Sequence, residues 1–379
     1  MGSSSAANSV ALVVDGGPPG LPFSNVDVGF VSVTICAPGT NNCQTIDHIA
    51  VDTGSTGLRV TSGALNASVL AGLTPQRDAG SNPLAQCTAF ADGSVFWGSV
   101  RLADLKLAGE QASSIPIQVI GDPSISGPPA GCSGFLEQTA NDIGANGLLG
   151  VSNFLQDCGA FCAARASNGV YFGCGGAGCV SAAVPTAQQL LHPVSRFAQD
   201  NNGVLIQLPA VAASGAAAAS GSLIFGIGTQ ANNALGTARI FGVDATFGTF
   251  TVLNGGASYV NSFVDSGSNV YWIPPSINNQ PCPASSRSVA GFLCPSPPLS
   301  LSLTIGGQNG VTGVAPVNVA NAQTLFTSNP GGTAFNNLGA PNMDPNGVVI
   351  GLPFFFGRNV FTAIEGAATP GGTGPYVAF

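Results

Sequence analysis

Two short segments deliver an aspartate in nearly the same setting: Ala50-Val51-Asp52-Thr53-Gly54-Ser55 and Phe263-Val264-Asp265-Ser266-Gly267-Ser268. In each, an apolar run leads to the Asp, a hydroxyl residue follows it, and Gly then Ser close the segment. Two carboxyls brought together can perform acid–base chemistry on water. One, ionised, takes a proton while the other, protonated, polarises the carbonyl under attack. Contact enforces that difference, because like charges at close range do not both ionise and the pair shares one proton. Gly54 and Gly267 suit a tight turn and a close backbone approach. The alternative for each segment is an ordinary turn at a strand end with no chemistry. Against it stands duplication, since an apolar pair before glycine follows both times: Leu148-Leu149-Gly150 and Val349-Ile350-Gly351.

Other chemistries find fewer residues. Only His48 and His192 could serve a Ser/His/Asp triad, and there is no Gly-x-Ser-x-Gly elbow. His48, four residues before Asp52, reads as a core or edge residue. No Walker A, dinucleotide fingerprint or His/carboxylate metal motif is present, so neither cofactor nor metal is expected. Nine basic residues against 17 acidic, a net charge of -8, and Lys106 as the only lysine remove the cationic footprint that nucleic acid requires. The uncharged stretch from Ser288 to Met343 is interrupted by Pro295, Pro297, Pro298, Pro316 and Pro330, so no membrane span is expected. Asn66-Ala67-Ser68 is a sequon that matters only in a glycosylating host.

The 379 residues include 53 Gly and 27 Pro, yet 45% are hydrophobic and 7% charged, which requires a large buried core and excludes a charge-rich disordered chain. Ten cysteines, mostly in short-range couples, indicate disulfides and an oxidising compartment, so a secreted or periplasmic protein. Cys36/Cys43, Cys158/Cys162, Cys174/Cys179 and Cys282/Cys294 would close small loops, leaving Cys87 and Cys132 for each other. A structural zinc site from Cys158, Cys162, Cys174 and Cys179 is the competing reading. Met1-Gly2-Ser3-Ser4-Ser5 reads as an expression scar opening a tail over 1–9.

Helical periodicity is scarce, with candidates at Thr186–Leu191, Val194–Asp200 and a turn around Ala64–Leu73. Short aliphatic and β-branched runs bounded by Gly, Cys or Pro, such as 30–35, 204–208 and 222–225, point to an all-β architecture. The Ala/Ser/Gly tract Ala212–Gly221 reads as a loop between strands.

The paired Asp-Thr-Gly-Ser and Asp-Ser-Gly-Ser motifs with their apolar-apolar-Gly partners resemble pepsin-like aspartic proteases over nearly the whole chain. Val349-Ile350-Gly351-Leu352-Pro353-Phe354-Phe355 is similar to the family's last core motif, with Leu352 where an Asp often stands. The resemblance implies a bilobal fold with lobes at 10–185 and 186–379 facing across a cleft, few short helices, and an aspartic endopeptidase working as a monomer at acidic pH on peptide or protein substrates. It assigns catalysis to Asp52 and Asp265, the tie between their loops to Thr53 and Ser266, and carboxylate support to Ser55 and Ser268. It also implies a flap at Phe90-Ala91-Asp92-Gly93-Ser94-Val95-Phe96-Trp97-Gly98. There the pattern departs: the family's flap tyrosine falls on Phe90, and the tryptophan seven residues after the first Asp is Arg59. Arg59 is expected either to pair with Asp92 or stack on Phe90 or Trp97, or else to lie on the surface with Phe90 in the core. Trp272 holds the corresponding place after Asp265. The departures leave open a pepsin-fold binding or inhibitor protein without turnover, or a protease in which Arg59 in the cleft wall selects acidic side chains.

Overall fold

The apolar runs become strands where alternate residues can be buried. In Gly29–Cys36, Val31, Val33 and Ile35 are buried while Ser32 is exposed. Thr312–Val319 buries Gly313, Ala315, Val317 and Val319 and exposes the residues between them. Pro316 is tolerated because that strand is an edge, where a missing N–H breaks no ladder. This computed structural model describes residues 7–176, 178–277, 280–286 and 288–379. Met1 to Ser5, read above as an expression scar, lie outside those residues. Of the tail expected over 1–9, Asn8 is buried and Ser9 opens a strand, Ser9–Val14.

Among the described residues the strands form sheets of 17, seven and two members, and the longest helix, Ala322–Ser328, has seven residues. The architecture is all-β and bilobal, of the pepsin type. Ser9–Val14 pairs antiparallel with 219–224, so distant parts of the chain share one sheet. Ala219 to Gly221 therefore belong to a strand, and the small-residue loop is shorter than its composition suggests. The main core likewise unites Leu12, Val33 and Leu58 with Val204, Phe225 and Phe354.

The expected helical spots are short 3-10 turns at Thr186–Gln188 and Pro193–Arg196, and a 3-10 turn followed by one helix across 62–72. No helix among the described residues is long and apolar enough to cross a membrane. Cysteines pair as Cys36–Cys43, Cys87–Cys132, Cys158–Cys162, Cys174–Cys179 and Cys282–Cys294. Both couples of the alternative zinc set are thereby spent on disulfides.

Candidate active site

Asp52 ends the strand Cys43–Asp52, and Asp265 follows Ala257–Val264. Each rides on the same device of three strands. Gly147–Val151 runs parallel to the strand arriving at Asp52 and antiparallel to the departing Thr56–Thr61. Val349–Ile350 lies parallel beside Phe263 and Val264 and antiparallel to Tyr271–Ile273. The apolar pairs before glycine are thus the struts on which the two aspartate loops hang.

The loops meet through a crossed set of bonds. The Thr53 N–H donates to Ser266 Oγ at 3.1 Å, the Ser266 N–H donates to Thr53 Oγ1 at 2.9 Å, and the Ser266 hydroxyl donates to the Val51 carbonyl at 2.8 Å. Each carboxyl then receives a matching pair of donors. Asp52 Oδ1 accepts from the Gly54 N–H at 2.7 Å and its Oδ2 from the Ser55 hydroxyl. Asp265 Oδ1 accepts from the Gly267 N–H at 2.8 Å and its Oδ2 from the Ser268 hydroxyl at 2.7 Å.

The glycines are reciprocal. A Cβ on Gly54 would stand 2.9 Å from Asp265 Cγ, and one on Gly267 would stand 2.5 Å from Asp52 Oδ1. Neither has the positive φ that demands glycine, so room for the opposite carboxyl is the reason for both. The carboxyls are buried and adjacent, both meeting the position a Gly267 Cβ would take. Burial first, and then the charge and hydrogen bond of Asp52, hold the Asp265 carboxyl well above the usual carboxylate range. The pair keeps a shared proton.

The dyad faces a cavity of about 480 Å³ whose wall includes Phe90, Asp92, Phe96, Glu137, Leu148 and Trp272. Over it, Leu84–Ala89 and Ser94–Leu107 form an antiparallel hairpin. Its tip is fixed by Gly93 at φ +87°, by the Gly93 N–H donating to the Phe90 carbonyl at 3.1 Å, and by the Asp92 carboxylate accepting from the Ser94 N–H at 2.9 Å and hydroxyl at 2.8 Å. Phe90 stacks on Phe96 at 4.6 Å between centroids. Both outer edges of this hairpin are paired. Phe135–Glu137 adds a parallel strand on one side, Tyr171–Gly175 an antiparallel one on the other, and Cys87–Cys132 ties hairpin to loop. The hairpin is braced as part of a sheet.

The family described as "Protein of unknown function (DUF3443)" matches residues 4–379. The chain belongs to that family. No curated protein matches the DUF3443 chain. Among solved structures it is similar to the aspartic proteinase from Irpex lacteus, with a TM-score of 0.54 and 15% identity over 98% of this chain and 96% of that one. At that identity the likeness speaks for the fold.

Arg59 of the DUF3443 chain does not pair with Asp92 or stack on Phe90 or Trp97, and it is neither on the surface nor in the cleft wall. It is 2% exposed, and Asp157 is its acidic neighbour, at 4.0 Å. The reason is direction: Arg59 reaches beneath the hairpin toward Thr88, whereas Asp92 is exposed at the tip and spends its carboxylate on Ser94. Trp97 also turns away from the cavity, packing edge-on against Phe172 at 5.4 Å and donating its Nε1–H to the Ser126 carbonyl at 2.9 Å. Phe90 lines the cavity and is not a core residue. His48 is half-buried at an irregularity within the strand Cys43–Asp52, 3.5 Å from Asp15. His192 is buried, and burial pushes its pKa down to about 4.

Three residues of the site escape a reading of the sequence. Trp272 is a cavity wall residue. Glu137 also lines the cavity, pushed up to about 7 by partial burial and then by the charges of Asp92 and Asp142. Asp157, beside Arg59, carried one signal: an arginine inside the apolar strand Thr56–Thr61 must find an acid, and the chain offers 17.

Proposed function

We propose that this chain is an aspartic endopeptidase that hydrolyses peptide bonds in extended substrates at acidic pH. The observation that carries the reading is the pair of buried, adjacent carboxyls, each held by one N–H and one hydroxyl, open to a cavity beneath a β-hairpin. With one proton between them, the ionised carboxyl accepts a proton from water as the water attacks the scissile carbonyl. The protonated one donates to that carbonyl oxygen, and the pair returns the proton to the leaving amine. The Asp265 carboxyl, held well above the usual carboxylate range by burial and then by Asp52, is the donor in this scheme. Substrate would lie as an added strand under the hairpin, with main-chain hydrogen bonds supplying affinity and Phe90, Phe96 and Trp272 supplying apolar contact.

The five disulfides support export to an oxidising compartment, outside the cell or in a periplasm. We assign the lobes to 10–185 and 186–379, and treat the active unit as a monomer whose dyad is complete within one chain. The braced hairpin favours a second reading, a binding protein of this fold without turnover, because substrate entry has less hairpin motion to use.

Cleavage of an unfolded protein from strongly acidic to neutral pH separates the two. Activity at low pH that falls at least about 10³-fold in Asp52→Asn and in Asp265→Asn is the expected result. Folded protein without cleavage at any pH overturns the endopeptidase.

A further inference from the structure

Behind the dyad, between the Asp52 loop and the first hairpin strand, lies a sealed polar cluster that the cleavage scheme leaves unused. Arg59, Gln86, Gln118 and Tyr171 are each at most 2% exposed. Arg59 donates from Nη1 to the Thr56 carbonyl at 3.0 Å and to the Gly57 carbonyl at 3.5 Å, just past Ser55, the residue that supports Asp52. Its Nε–H donates to Thr88 Oγ1 at 3.1 Å, on the first hairpin strand. The guanidinium therefore joins the Asp52 loop to the first hairpin strand, two residues before the tip.

Its charge is only loosely answered. Asp157 stands 4.0 Å from Nη2, and its oxygens already accept from the Tyr171 hydroxyl at 2.7 Å and from Gln86 Nε2. The titratable groups facing Arg59 are Asp157 from the segment after Gly147–Val151, Tyr171 from its strand and Asp52 from the catalytic loop. Gln86 and Thr88 from the hairpin and Gln118 from the strand Glu110–Ile120 complete the surroundings without charge. Burying a cation is costly unless something gains from its field, and the Thr56 carbonyl it holds is one residue past Ser55, whose hydroxyl bonds Asp52.

We propose that Arg59 is a positioning residue that fixes the Asp52 loop against the first hairpin strand and holds the dyad in its singly ionised form, with Asp157 as counter-ion. This rests on the endopeptidase reading for its role, though not for its test. Burial pushes the Asp157 carboxyl up to about 6, against the pull of Arg59. Below that pH Asp157 is neutral, the field of Arg59 is unopposed, and the remaining negative charge on the dyad persists to lower pH. Above it the Asp157 anion offsets Arg59 and resists loss of the shared proton. One buried pair thereby widens the active range at both ends.

The test compares Arg59→Met, Arg59→Lys and Asp157→Asn with the parent chain in pH profiles of kcat and kcat/KM. A parallel carbon-13 carboxyl NMR titration assigns the dyad signals through Asp52→Asn and Asp265→Asn. Arg59→Met is expected to move the acid limb, and the dyad's lower titration, up by about 1 pH unit. Arg59→Lys keeps the acid limb in place but lowers kcat, because the charge survives while the fork of bonds to Thr56, Gly57 and Thr88 does not. Asp157→Asn leaves the acid limb and moves the alkaline limb down by about 1 pH unit. Limbs and titrations that stay put in folded Arg59→Met and Asp157→Asn overturn the proposal, whatever happens to turnover or stability. If Arg59→Met does not fold, Arg59→Lys and Asp157→Asn decide alone. A parent chain that never cleaves removes the endopeptidase reading, while the titration still supports or sinks the role of Arg59.

Discussion

Arg59 and Trp272 stand at the same station of the repeated device. Each is seventh after its aspartate, and each pairs with the first residue of its apolar-apolar-Gly strand, Leu148 or Val349. Yet Arg59 is sealed in a polar cluster beneath the hairpin, and Trp272 is half-buried in the cavity wall. The backbone repeat fixes where the carboxyls go. The side chain at this station decides what lies behind each one, a cation in the first half and an apolar wall in the second. Covalent bracing differs in the same sense, since four of the five disulfides lie before residue 186. The first half is built to be stiff around its carboxyl.

The comparison can be broken in order of size. Removing Cys87–Cys132 as a double Ser variant is expected to cost about 4 kcal/mol of stability for its 45-residue separation, and Cys282–Cys294 about 3 kcal/mol for 12, read by denaturant unfolding. The former should also lower kcat/KM on a peptide substrate, because it frees the hairpin, whereas the latter should not. Equal effects on turnover would remove the claim that bracing matters only in the first half. Next, Gly267→Ala should lower kcat about 100-fold, through a Cβ 2.5 Å from Asp52 Oδ1, and more than Gly54→Ala, whose closest approach is 2.9 Å. Smallest, Trp272→Ala should raise KM about tenfold with both pH limbs unmoved. A shifted limb there would erase the contrast with Arg59.

The repeat, the dyad and its hydroxyl partners were legible because they are local patterns that occur twice. The disulfide couples were legible because short separations leave few choices. Asp157, Gln86 and Tyr171 were not, since each is a single residue whose meaning comes from a cluster in which Asp157 meets Arg59 while Gln86 and Tyr171 bond Asp157, across four segments of chain. The hairpin's third strand, Phe135–Glu137, has three residues following a Pro- and Gly-rich stretch, too few for a period to show. Ala322–Ser328 did leave a mark: Asn321 caps it by accepting from the Thr324 N–H at 3.1 Å, and Asn before an apolar run is a helix start. A surface place for Arg59 follows from the habit of arginine, which tertiary pairing overrode, and pairing at the hairpin tip failed because its acid partner, Asp157, lies elsewhere in the chain.

The notches at Gly54 and Gly267 have a consequence for heredity. Each half of the gene encodes the space for the other half's carboxyl, since the atoms nearest a Cβ at either glycine belong to the opposite aspartate. A methyl at either glycine intrudes on a residue encoded some two hundred codons away. Recombination that exchanges one half with a relative is therefore tolerated only when the incoming half carries both its own carboxyl and the notch for its partner's.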